Sequence, residues 1–289
     1  MRHQPPKRTY DLTYPANWTS GVILASPHSG CEYPDWFLAE SNLDERLLRS
    51  SEDAFVDRLV ASAPDAGAAL LTARVPRAVV DLNRAADELD PVLVQGVRST
   101  VPGPRILAGL GVLPRVVAGG RAIHRAPLTR AEADRRIQEL WHPYHAALAQ
   151  VIARARAHFG AAILIDMHSM PRESLSDLPR PHPEVVLGDR HGSSAAHQIT
   201  TAVADAFTAE GFQVARNTPF AGAYIASHYG RPSNRVHAIQ VEIDRSLYMD
   251  EQGIQPLPGF DAFAARIGAV IGRLARLGNA GNTLPIAAE

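Results

Sequence analysis

Cysteine and lysine are almost missing from this sequence: Cys31 is the single cysteine and Lys7 the single lysine among 289 residues. One thiol cannot form an intrachain disulfide, and the polar, proline-containing start lacks the apolar core of a secretory signal, so the expected compartment is the cytoplasm. A lone lysine close to the N-terminus disfavours Schiff-base chemistry and a phosphate-loop lysine, and no GxxxxGK(S/T), GxGxxG or GxSxG pattern occurs. Net charge is missing as well. Twenty-nine basic against thirty acidic side chains give −1, which provides no field to gather nucleic acid or an anionic membrane, and neither partner is expected. No apolar run approaches the roughly 20 residues of a membrane span. What is present is ordinary for a globular chain, with 46% hydrophobic and 20% charged residues. The length suffices to bury a sizeable core, and one domain over residues 1–289 is expected.

The organisation follows from apolar runs and their punctuation. GVILASPHSG (21–30), AALLTA (68–73), AAILIDMHSMP (161–171), EVVLGD (184–189) and VHAIQVEID (236–244) are short apolar runs bounded by Gly, Pro or polar residues, as expected of buried strands. Val79 and Val80 in VPRAVVDLNR (75–84) read as a further strand with Asp81, Asn83 and Arg84 at its exit. Residues 43–63, in one piece or two, and the stretches beginning at Thr129, Ser193 and Phe260 have helical spacing. Thr129 and Glu132 form a capping-box pattern, and Pro143 should kink or divide the helix that follows. Residues 86–128, rich in Pro and Gly, read as a long irregular excursion over the surface. Strands alternating with helices predict an α/β fold with three layers, α/β/α, around a mixed, mostly parallel sheet.

In such folds ligands bind beyond the carboxyl ends of strands, where His28, the Asp81–Arg84 run, His168 and Glu242 all fall. Two histidines and one carboxylate are the usual protein half of a catalytic zinc site. His28 and His168 are the candidate histidines. Asp53 is the preferred carboxylate, with adjacent Glu52 in reserve. Against this stands the ordinary reading of each histidine as a hydrogen-bonded structural residue. Asp166 either orients an imidazole or caps the following turn. Glu242, in an apolar run, is either a general base or the partner of an arginine such as Arg245. Asn83 and Arg84 suit a substrate carboxylate, and Arg77 either stabilises an oxyanion or forms a surface ion pair. Gly222 and Tyr224, in a turn with Asn217, Pro219 and Phe220, line a pocket or merely pack. His142 and His145 read as a partly buried structural pair. Ser29 and Ser169 neighbour histidines, but neither lies in a nucleophile elbow.

Taken together, SPHSG (26–30), EDAFVDRL (52–59), PRAVVDLNR (76–84), WHPYH (141–145), IDMHSMP (165–171), LGDRHG (187–192), NTPFAGAYI (217–225) and HAIQVEIDRSLYMDE (237–251) closely resemble N-formylglutamate amidohydrolases. The resemblance runs from about residue 15 to residue 275. It implies a phosphorylase/hydrolase-like fold related to zinc carboxypeptidases and aspartoacylase-like deacylases. The implied reaction is hydrolysis of N-formyl-L-glutamate to formate and L-glutamate in histidine degradation. By motif, His28 and His168 resemble the metal ligands, with Asp53 at the family's acidic position before VDRL. Glu242 resembles the general base, and Asn83 with Arg84 the substrate-carboxylate pair. One departure stands out: zinc carboxypeptidases carry a glutamate three residues after the first histidine, and this chain has Cys31 there. The third ligand is therefore Asp53, Glu52 or a Cys31 thiolate. The same residues leave two other functions open, namely a zinc deacylase of another N-acyl amino acid or small amide, and a metal- or amino-acid-binding protein without catalysis.

Overall fold

A computed structural model describes residues 8–97 and 103–279. The chain forms two compact units. One contains the stretch up to Asp11, Pro27–Ala54 and Thr72–Ala147, and the other Leu12–Ser26, Phe55–Leu71 and the chain from Leu148 onward. Seven strands, β1 (Tyr10–Thr13), β2 (Val22–Ser26), β3 (Ala69–Ala73), β4 (Ala162–Met170), β5 (Val185–Gly188), β6 (Val214–Arg216) and β7 (Val236–Asp244), form a sheet in the order β1-β3-β2-β4-β7-β5-β6. β2 with β4, β4 with β7 and β5 with β6 are parallel, whereas β5 with β7 is antiparallel. The sheet is thus mixed and mostly parallel, and the fold is α/β. No helix of the described residues is long and apolar enough to cross a membrane.

In the unit built on Leu148 onward, β4 and β7 are buried at all nine positions each. Both faces are therefore covered, which accounts for continuous apolar runs where an exposed sheet would alternate. The helix Phe260–Leu277 turns Phe263, Ile267, Val270, Ile271 and Leu274 inward at spacings of three and four. That face meets the helix His197–Thr208 and the short helix Val56–Leu59. Each fully buried aliphatic side chain there stabilises the fold by about 1.5–3 kcal/mol relative to exposure.

In the other unit, Thr129 caps the helix Arg130–Arg136, its hydroxyl accepting from Glu132 N at 3.2 Å. A π-helical turn, Ile137–Trp141, then precedes the helix His142–Phe159. The disruption expected at Pro143 lies in the turn before it, where a proline's missing N–H is tolerated. Residues 43–63 are helical in two short pieces, Glu45–Arg49 and Val56–Leu59, and Phe55 before the second adopts φ 67°, a left-handed conformation that no α-helix continues through. One expectation changes. Val79 and Val80 lie in turns instead of a strand: Val79 N and Val80 N donate to Pro76 O, and Asp81 N to Val112 O at 2.7 Å. The excursion at 86–128 contains the short helix Pro104–Leu107 and a hairpin of Val116–Val117 with Arg121–Ala122. Its residues 98–102 lie outside those described.

Candidate metal centre and catalytic residues

His28 lies in the loop that leaves β2. The turn at Ser29–Gly30 rests against the backbone of Arg74 and Val75 so closely that a Cβ at Gly30 would collide with Val75 O, which explains a glycine there. Asp53 is tied to the same loop through its backbone, its N–H donating to His28 O at 3.0 Å. The two side chains also meet, with His28 Nδ1 3.5 Å from Asp53 Oδ2. On the other edge of the ring, His28 Nε2 lies 2.7 Å from Asp81 Oδ1.

Asp81 is almost wholly buried, at 1% exposure, yet it is surrounded by donors. Asn83 N donates to Oδ1 at 2.8 Å and Arg77 Nε to Oδ2 at 2.9 Å. Burial alone would favour the neutral acid, but Arg77, His28 and Arg84 together hold the carboxyl well below its ordinary range. An ionised carboxylate only accepts, so His28 Nε2 donates to it, and Nδ1 is the ring nitrogen that faces Asp53.

The second imidazole repeats this arrangement on β4. Asp166 and His168, two residues apart on a strand, share a face, and Asp166 Oδ2 lies 3.0 Å from His168 Nε2. With that nitrogen engaged, Nδ1 is the nitrogen of His168 that could hold a metal. Ligand atoms of His28, Asp53 and His168 all lie within 4.8 Å of one another, and all three residues are buried. Two imidazoles and a carboxylate, each imidazole backed by an aspartate, form a donor set that could hold a divalent metal and that suits zinc.

The other acids and the thiol are placed elsewhere. Glu52 accepts from Tyr33 Oη at 2.7 Å and Arg49 Nε at 3.1 Å. Its burial pushes its pKa up to about 7, against the opposing pull of Tyr33 and Arg49. Cys31 is exposed.

Glu242 stands on β7 directly opposite His168 of β4, and Gln240 directly opposite Asp166. Glu242 is 7% exposed and accepts from Gln240 Nε2 at 2.7 Å. Arg245 Nε instead donates to Ser169 Oγ at 3.1 Å, with Arg245 Nη2 3.3 Å from Ser169 O. Asn83 and Arg84 are both buried. Among the described residues, the Arg84 guanidinium bonds two backbone carbonyls, Leu110 O at 3.1 Å and Asn83 O at 3.0 Å, and no carboxylate. A desolvated cation of that kind is suited to an anionic ligand. Gly222 takes φ 106°, and Tyr224 opens the helix Tyr224–Tyr229, its ring stacked on His228. His145 is buried, stacked on Trp141 at 3.8 Å and bonded to Leu82 O, whereas His142 is exposed.

Sequence reasoning missed two members of this arrangement, Asp81 as the partner of His28 and Gln240 as the partner of Glu242. Each had a signal, since a carboxyl or amide inside an apolar run must find a hydrogen bond.

A sequence model of the N-formylglutamate amidohydrolase family matches residues 20–249. N-formylglutamate deformylase from Pseudomonas aeruginosa is 32% identical over 234 residues, covering 80% of this chain and 83% of the relative. The enzyme of the same name from Pseudomonas putida is 28% identical over 236 residues, 80% of this chain and 82% of the relative. The crystal structure of N-formylglutamate amidohydrolase from Ralstonia eutropha superposes with a TM-score of 0.87 at 34% identity, covering 93% of this chain and 98% of that one. On the strength of the matched motifs, the sheet and these relatives, the chain belongs to the N-formylglutamate amidohydrolase family.

Proposed function

We propose that the protein is a metal-dependent amidohydrolase that cleaves N-formyl-L-glutamate to formate and L-glutamate, acting in the cytoplasm as a single hydrolase domain in histidine degradation. The observation that carries this reading is the buried His28–Asp53–His168 group, with Asp81 and Asp166 behind the two imidazoles. Held by those three residues, a zinc ion would supply Lewis-acid polarisation of the formyl oxygen and bring the pKa of water down toward about 7.

The remaining work falls to the chain itself. Glu242 takes a proton from the attacking water as its oxygen bonds to the formyl carbon. The same carboxyl then hands that proton to the departing nitrogen as the C–N bond breaks, releasing formate and the free amine of glutamate. Arg77 shares the negative charge that builds on the former carbonyl oxygen. Asn83 and Arg84 grip the α-carboxylate of the substrate through paired hydrogen bonds, and Gly222 and Tyr224 wall the substrate site.

Treatment with a strong chelator should lower formate release from N-formyl-L-glutamate at least 100-fold, and one equivalent of zinc should restore it. Full activity in protein shown to be metal-free would reject the metal. Faster release from another N-acyl amino acid would move the substrate, and binding without turnover would reject catalysis. Asp81→Asn should weaken zinc about 10–100-fold, because the backing carboxylate orients the imidazole and raises its basicity. Competition with a chromophoric chelator measures this, and wild-type affinity would remove Asp81 from the site.

A further inference from the structure

We propose that Gln240 is a positioning residue that fixes the orientation of Glu242 and ties it to the loop 217–223. The inference rests on Glu242 acting as the base, as set out above. Gln240 is 5% exposed, so its amide must find partners inside the protein. Two are in place. Ala223 N donates to Gln240 Oε1 at 2.8 Å, and Gln240 Nε2 donates to Glu242 Oε1 at 2.7 Å.

These contacts allow only one orientation of the amide. A backbone N–H can only donate, so the oxygen must face Ala223, and the NH₂ group must then face Glu242. An NH₂ group cannot accept a proton, so Glu242 Oε1 is held as an acceptor. The fixed donor restricts the rotation of the carboxylate.

A second contact explains why Ala223 N is within reach. Gly188 on β5 pairs with Gln240 on β7. A Cβ at Gly188 would lie 2.5 Å from Gly222 N and 2.6 Å from Ala221 C, so only a glycine lets the loop backbone lie flat on the strand. Asn217 anchors the start of the same loop. Its side chain donates to Asp189 Oδ1 at 2.8 Å and accepts from Asp189 N at 3.1 Å. The motifs LGDRHG, NTPFAGAYI and HAIQVE thereby converge on one amide whose other end holds the base.

Gln240→Leu, nearly equal in volume, removes both hydrogen bonds. With zinc content and melting temperature measured on every variant, it should lower kcat about 10–100-fold and change KM less than threefold. In the Glu242→Gln background the same substitution should change kcat less than twofold, because a residue acting only through Glu242 has nothing further to lose. Gln240→Met serves in the same cycle should the leucine variant not fold. Wild-type kcat in Gln240→Leu or Gln240→Met overturns the proposal, as do losses that multiply in the double variant. The cycle uses whichever amide the wild-type protein hydrolyses. A wrong substrate therefore appears in the wild-type assay, a wrong base in Glu242→Gln alone, and a wrong role for Gln240 only in the comparison of single and double variants.

Discussion

Glu242→Gln is expected to lower kcat on N-formylglutamate by about 10²–10⁴-fold, the range that general acid–base catalysis contributes. The substitution preserves volume and the hydrogen bond from Gln240, because the new amide oxygen still accepts from Nε2. It removes the ability to take a proton. Zinc content should remain at the wild-type level, since the group that could hold the ion comprises His28, Asp53 and His168 and not Glu242. KM should change little, because the proton is moved in the transition state and not on binding. Turnover within twofold of wild type in zinc-loaded protein would reject Glu242 as the base and transfer that role elsewhere.

Arg84→Ala should lower kcat/KM for N-formylglutamate about 30-fold or more, in line with the 2–5 kcal/mol cost of truncating one member of a buried, hydrogen-bonded charge pair. The effect is expected to depend on substrate. N-formylglutamate α-amide, which lacks the α-carboxylate charge, should lose much less. The reason is the environment of Arg84: a guanidinium 7% exposed, whose hydrogen bonds among the described residues go to the carbonyls of Leu110 and Asn83. Those two carbonyls lose their donors in the variant, at about 1–3 kcal/mol each if they remain buried. A melting curve separates that cost from the loss of recognition. Arg84→Lys keeps the charge but not the planar fork, and should recover only part of the activity. Equal losses on the acid and the amide would remove Arg84 from carboxylate recognition.

Much of the framework was legible because burial on both faces writes itself into sequence. β4 and β7 are continuous apolar runs broken only by Asp166, His168, Gln240, Glu242 and other polar residues near their ends, and the observed bounds of β7 and the start of the last helix match those read from the pattern. The short strands Tyr10–Thr13 and Val214–Arg216 left no such trace, being only partly buried. Val79 and Val80 misled because β-branched residues fit any buried niche, including a turn held by Pro76 O and Val112 O. The break at Phe55 depends on a backbone conformation that an aromatic side chain does not announce.

The candidate site divides in the same way. His28, His168 and Glu242 follow apolar runs and could be singled out from one chain. The choice among Asp53, Glu52 and Cys31 could not, since adjacent residues point to different surroundings. Asp53 faces His28, Glu52 is held by Tyr33 and Arg49, and Cys31 lies at the surface. Asp81 and Gln240 act through hydrogen bonds between residues distant in sequence or alternate on a strand, and spacing carries no record of those bonds.

Anomalous scattering at the zinc edge from crystals of active protein tests the central claim most directly. The account predicts one peak at about 2.0–2.2 Å from His28 Nδ1, His168 Nδ1 and an Asp53 oxygen, with no protein atom in the fourth position. Active crystals with no peak there, or with the ion held by other residues, would contradict it.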